Sequence, residues 1–124
     1  LNNQLVKPEI LVQKVALVVL TGVLIVNLIL FGIYQMRLSD PYIKSVLTLQ
    51  GDAVKGHAIF QMNCATCHGL QANGKVGPSL RQISERKSRL ALIDQVISGK
   101  TPPMPQFQPS SQEMADLLEY LESL

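Results

Sequence analysis

The chain has 124 residues, a formal net charge of +2, and only two cysteines and two histidines. That length allows one compact domain at most, and near-neutrality without a basic stripe interleaved with aromatics excludes nucleic acid as a partner. The mean hydropathy is positive, and one segment near the start accounts for most of it.

That segment is Val15 to Met36, 22 residues without a charge, in which only Thr21, Asn27 and Gln35 are plainly polar. As a helix rising about 1.5 Å per residue it would be roughly 33 Å long, enough to cross the hydrocarbon of a bilayer. A cleavable secretory signal competes with this reading, but its apolar part normally runs only about 7–15 residues and ends in a small-residue site. Here the run leaves through Ile33-Tyr34-Gln35-Met36-Arg37, which offers no such site. The pattern predicts a short N-terminal segment over residues 1–14 and a retained transmembrane anchor over 15–36, with Phe31 and Tyr34 at an interfacial position. Lys7 and Lys14 before the span balance Arg37 and Lys44 after it, so charge does not orient it. Gly22, Asn27 and Gly32 are candidates for a helix-packing face.

Ser39-Asp40-Pro41 breaks the helix and opens a connector over residues 37–50. Tyr42, Ile43, Val46, Leu47 and Leu49 make it too apolar for a free linker, so it reads as a short helix lying on the next domain or on the membrane surface. The globular part is expected over residues 51–124. Its first helix runs from Asp52, an N-cap, to Asn63, with Val54, Ala58, Ile59 and Phe60 as apolar positions. Gly56 inside it costs about 1 kcal/mol relative to alanine, which predicts a close contact there.

Cys64-Ala65-Thr66-Cys67-His68 follows, a C-x-x-C-H pentad. This is the spacing at which two thiols on one helical turn add across the vinyl groups of haem, while the adjacent His68 ligates iron. A thioredoxin-type pair or half a zinc site are the competing readings. The first needs a βαβ pattern, which is missing, and the second needs more ligands than Cys64, Cys67, His57 and His68 supply.

Gly77-Pro78-Ser79-Leu80 reads by itself as a turn. Leu90 to Ser98 reads as a helix with Leu90, Ile93, Val96 and Ile97 on one face, stopped by Gly99. Thr101-Pro102-Pro103-Met104-Pro105-Gln106-Phe107 is a loop in which three prolines stiffen the chain around one methionine. Ser110 and Glu113 form a capping box for a last helix whose apolar face is Leu117, Leu118, Tyr120, Leu121 and Leu124. Met36, Met62 and Met114 are read as packing and His57 as a surface residue. From Gly51 onward seven basic residues meet seven acidic ones. Arg81, Arg86, Lys87 and Arg89 cluster, and Asp116, Glu119 and Glu122 mark the last helix, as a solvated face or as a dipole that steers a partner.

Gly56 and Phe60 on the first helix, Leu117 and Tyr120 on the last, the pentad, the Gly-Pro-x-Leu segment and the proline-bound Met104 together resemble class I c-type cytochromes. The phrases Ser39-Asp40-Pro41-Tyr42, Gly56-His57-Ala58-Ile59-Phe60 and Ile97 through Pro105 are similar to the cytochrome cM family of cyanobacteria, membrane-anchored members of that class. The resemblance implies an all-α fold, a transmembrane helix followed by a small haem domain with crossed terminal helices, and one covalently attached haem c. It implies that Cys64 and Cys67 hold the haem, that His68 and Met104 ligate its iron, and that the Pro78 carbonyl accepts a hydrogen bond from His68. His/Met ligation favours ferrous iron and raises the reduction potential. Haem attachment of this type implies a lumenal or periplasmic haem domain, in a thylakoid or plasma membrane, and a cytoplasmic N-terminus. The implied role is single-electron transfer rather than enzymatic catalysis, with no small-molecule substrate. Implied partners are soluble electron carriers, cytochrome oxidase or a photosynthetic complex. A haem-bearing structural or regulatory subunit of a larger membrane complex is the alternative, and a haem enzyme or gas sensor a third.

Overall fold

The computed structural model describes residues 7–124, and every regular element among them is helical. Residues 1–6 of the expected N-terminal segment lie outside the described residues. The chain divides after Ser39 into two units.

The first unit holds one helix, α1, Pro8–Leu38, of 31 residues. Proline at its start lacks only an N–H that no helical partner would take, and Glu9 and Arg37 complement the dipole at the two ends. It overruns the uncharged stretch 15–36 at both ends and buries no residue. Two of its polar side chains satisfy themselves one turn back. Thr21 Oγ1 donates to the Leu17 carbonyl at 2.8 Å, and Asn27 Nδ2 donates to the Val23 carbonyl at 2.8 Å. Gly22, Asn27 and Gly32 do not form the expected packing face: five residues apart on a regular helix means about 140° around the axis, so the three point in different directions.

The second unit begins at Asp40. It contains α2 (Pro41–Thr48), α3 (Ala53–Asn63), α4 (Ala65–His68), α5 (Ile83–Arg86), α6 (Arg89–Ser98) and α7 (Ser111–Glu122). Asp40 caps α2, accepting from the N–H groups of Tyr42 at 2.9 Å and Ile43 at 3.2 Å. Ile43 and Val46 are buried, α2 packs on α6 and α7, and the Tyr42 hydroxyl donates to the Pro109 carbonyl at 2.9 Å. The expected connector over 37–50 is therefore largely part of the folded unit, which starts at Asp40 rather than near Gly51.

The principal packing is α3 on α7. A Cβ on Gly56 would collide with the Asp116 carbonyl and come within 2.8 Å of Tyr120 Cβ, so the helices meet backbone to backbone where a close contact is expected. Gly51 faces the Ala115 carbonyl and Glu119 Cβ in the same way. Phe60 packs on Tyr120 with ring centroids 5.3 Å apart, and Phe60, Ile93, Met114, Leu117, Leu118 and Val46 are fully buried. Met114 thus packs as expected, whereas Met62 is 75% exposed and fills no core.

Asp116, expected on a charged surface, is buried. Its Oδ1 accepts from the Asp52 N–H at 2.9 Å and from Gln112 Nε2 at 2.9 Å. The basic cluster is also partly engaged. Arg86 Nη2 donates to the carbonyls of Ser79 at 3.2 Å and Arg81 at 3.0 Å. Arg89 lies 3.0 Å from Glu122 and 3.8 Å from Glu119, an ion pair in which Nε lacks hydrogen-bond alignment. Much of the expected dipole is therefore spent inside the unit.

Ser88 caps α6, and Gly99 ends it in the left-handed region at φ 61°. The capping box of α7 forms as expected: the Glu113 carboxylate accepts from the Ser110 N–H at 2.8 Å, and Ser110 Oγ accepts from the Glu113 N–H at 3.3 Å. The Ser110 hydroxyl, then the Ser110 N–H, hold the Glu113 carboxyl below its ordinary value.

Gly56→Val should destabilise the haem-loaded protein by about 1–3 kcal/mol through overpacking at the crossing, read as a lower denaturant midpoint with an unchanged slope. Because folding lowers the Glu113 pKa, the cap contributes fully above the ordinary carboxylate range and is lost as pH falls through the folded value. Glu113→Gln should lower the melting temperature at neutral pH and flatten its fall between about pH 5 and pH 3. A slope equal to the parent's would remove the cap as a source of acid lability.

Candidate functional site

Helix α3 delivers the pentad. Cys64 ends α3, its N–H donating to the Phe60 carbonyl at 2.8 Å, and begins α4, its own carbonyl accepting from the N–H groups of Cys67 at 3.2 Å and His68 at 2.9 Å. Two thiols and an imidazole therefore share one helical turn. Both cysteines are free and half-buried. Burial, then the neighbouring Cys67, pushes the free Cys64 thiol up to about 11.

His68 is 8% exposed, and its Nδ1 lies 2.8 Å from the Pro78 carbonyl. With Nδ1–H donating to that carbonyl, Nε2 is left as the unprotonated nitrogen that can bind a metal. The loop that brings Pro78 into place is cross-braced to the pentad. The Gly74 N–H donates to the His68 carbonyl at 2.7 Å, the Gly77 N–H to the Cys67 carbonyl at 2.7 Å, and the Leu80 N–H to the Ala72 carbonyl at 2.8 Å. Gly77 has a second task that the turn signal does not reveal. A Cβ there would sit 2.8 Å from His68 Cε1 and 2.9 Å from Nδ1, so the imidazole packs against the bare Cα.

The methionine loop is hung from α6. The Met104 N–H donates to the Thr101 carbonyl at 3.0 Å, and the Phe107 N–H donates to the Val96 carbonyl at 2.9 Å. Met104 is half-buried against the core. Gln95 Nε2 donates to Thr101 Oγ1 at 3.0 Å and lies 3.8 Å from Met104 Sδ. Sequence patterning misses Gln95, since a glutamine on a helix carries no signal of its own. His57 is exposed, with Gln61 Nε2 3.0 Å from its Nε2 and the Tyr120 ring 4.9 Å from its own.

Among the described residues no three His, Cys, Asp or Glu side chains gather as a zinc site requires. None lies in a strand, which leaves a thioredoxin motif without its βαβ context. The donor set fits haem c: paired free thiols for thioether bonds, an imidazole whose far nitrogen is available, and a soft thioether on a separate loop.

Residues 51–121 match the family described as cytochrome c oxidase, cbb3-type, subunit III. A "Cytochrome c-553-like" protein of Synechocystis sp. is 51% identical over 105 residues, which is 85% of this chain and 100% of that relative. Shorter stretches match cytochrome c of Arabidopsis thaliana, 46% identical over 44 residues (34% of this chain, 39% of the relative), and of Cochliobolus lunatus, 46% over 41 residues (32% and 38%). No solved structure matches. An all-helical domain with a C-x-x-C-H turn and these relatives defines a c-type cytochrome, a class whose cofactor is covalently bound haem c. Cytochrome c homologues are electron carriers. The chain belongs to the cytochrome cM family of cyanobacterial type.

Proposed function

We propose that the chain is a membrane-anchored mono-haem cytochrome that passes single electrons between redox proteins. In this reading Cys64 and Cys67 hold the haem, His68 and Met104 supply the two axial donors, and Pro78 orients His68. Haem supplies a one-electron ferric/ferrous couple when bound. The observation that carries the reading is the 2.8 Å bond from His68 Nδ1 to Pro78 within the turn that also carries both thiols. It fixes the imidazole tautomer and raises the basicity of Nε2. With protein donors on both faces, no position is left for a substrate or dioxygen.

Helix α1 serves as the anchor. Its 31 residues carry only Glu9, Lys14 and Arg37 as charges, and Thr21 and Asn27 bond within the helix, as a lipid environment demands. The 105 residues matched by the Synechocystis relative exceed the 85 from Asp40 to Leu124, so that match runs into α1. The haem domain is assigned to the lumenal or periplasmic side of a thylakoid or plasma membrane. Soluble electron carriers, cytochrome oxidase or a photosynthetic complex are its partners.

A second reading is a haem-bearing subunit of a larger membrane complex, favoured by the family match to a protein described as an oxidase subunit. A free carrier should sediment alone after gentle solubilisation, and co-sedimentation with a stable complex would favour the subunit. The ligation is tested by the weak near-infrared sulfur-to-iron band of the ferric protein, which should be present in the parent and absent from Met104→Ala. A parent protein without that band would overturn Met104 as a ligand and move a sensor or enzyme ahead.

A further inference from the structure

Gln95 sits on α6 at a point where one side chain reaches both ends of the methionine turn. Its Nε2 carries two hydrogens, and two acceptors lie within reach: Thr101 Oγ1 at 3.0 Å and Met104 Sδ at 3.8 Å. The turn between those acceptors is closed by the Met104 N–H donating to the Thr101 carbonyl at 3.0 Å. The amide is thus anchored by a hydroxyl whose position is set by the same turn that presents the sulfur.

A thioether sulfur has two lone pairs. One bound to iron leaves the other free, and a donor placed on it draws electron density from the sulfur. Weaker donation to the metal disfavours the ferric form, which depends more on the ligand than the ferrous form does. We propose that Gln95 is a positioning residue that sets the electron-donor strength and orientation of Met104 and thereby raises the reduction potential of the cytochrome. The proposal rests on Met104 being the sixth ligand.

The test uses the haem-loaded full chain and compares the parent with Gln95→Leu, Gln95→Glu and Thr101→Val. Gln95→Leu removes the donor, and Gln95→Glu keeps the shape but presents an acceptor, which covers the case in which the leucine variant folds poorly. Both should retain the near-infrared sulfur-to-iron band but shift its energy, and both should favour the ferric form by about two- to tenfold, the range expected for one lost hydrogen bond. Thr101→Val removes the anchoring hydroxyl but keeps the amide donor, so it should favour the ferric form by less than Gln95→Leu does. An unchanged potential and band in both Gln95 variants, with the band present in the parent, would overturn the role of Gln95 while leaving Met104 ligation intact. A larger shift in Thr101→Val than in Gln95→Leu would also overturn it, since loop geometry rather than the amide would then be the cause. Absence of the band from the parent would overturn the ligation and this inference together.

Discussion

The contact on which the second unit depends is the passage of α3 across α7 without an intervening side chain. Gly56 lies on the Asp116 carbonyl and Gly51 on that of Ala115, which brings the two backbones close enough for the Asp116 carboxylate to bond the N-cap residue of the neighbouring helix. A buried carboxylate is costly unless its oxygens are bonded. Here one oxygen takes two donors, the Asp52 N–H and Gln112 Nε2. Asp52 in turn accepts from the N–H groups of Val54 and Lys55, so α7 fixes the first turn of α3 through a single residue. The far end of α3 is Cys64, where the pentad turn begins. The place of the haem thiols is therefore set by a crossing eight residues earlier in the chain, with Phe60 and Tyr120 wedged beside it.

What was legible in the sequence was local. The pentad, the Asp52 cap, the Ser110/Glu113 box and the Gly99 stop are short patterns whose physics acts within one turn, and each is present in the structure. Gly56 could be read as needing a close neighbour, because glycine inside a helix has a cost that some contact must offset. What escaped was long-range. Asp116 and Glu119 sit three residues apart on the same helix, yet one is buried under Asp52 while the other is half-paired with Arg89; no pattern along the chain separates them. Arg86 looks like a surface charge but ties together two carbonyls of the loop after Pro78. Met62, close to the pentad, reads as packing, and it is exposed. Helix α2 was recognisable as apolar, but whether it lay on protein or membrane depended on Tyr42 reaching Pro109, 67 residues away.

The first unit obeys a different accounting. Helix α1 buries none of its residues. In water a helix apolar on all sides would be driven to aggregate; in lipid the same surface is matched to its solvent, and only backbone and polar side chains must be satisfied internally. Thr21 and Asn27 meet that demand by bonding to carbonyls four residues back. Because they are self-satisfied, and because Gly22, Asn27 and Gly32 point in different directions, the helix carries no built seam that obliges it to find another span.

Under the proposed ligation, the two sides of the haem site are stiffened by unlike means. On the His68 side, the loop from Gly69 to Leu80 is braced to the pentad by backbone hydrogen bonds, with Gly69 and Gly74 in conformations open mainly to glycine. On the Met104 side, Pro102, Pro103 and Pro105 have no N–H to give, so stiffness there comes from fixed φ angles, which restrict the unfolded loop as much as the folded one. The loop is tied to α6 near its ends, by Phe107 to Val96 and by Gln95 to Thr101. Such a segment can open as a unit without breaking the bonds that hold the imidazole, whereas His68 cannot leave without unravelling the turn that contains both thiols. An electron carrier has to keep its ligand geometry through a change of charge. Under the proposed ligation, the covalent side supplies the permanence and the methionine side the adjustment, and Gln95 joins the sulfur to α6.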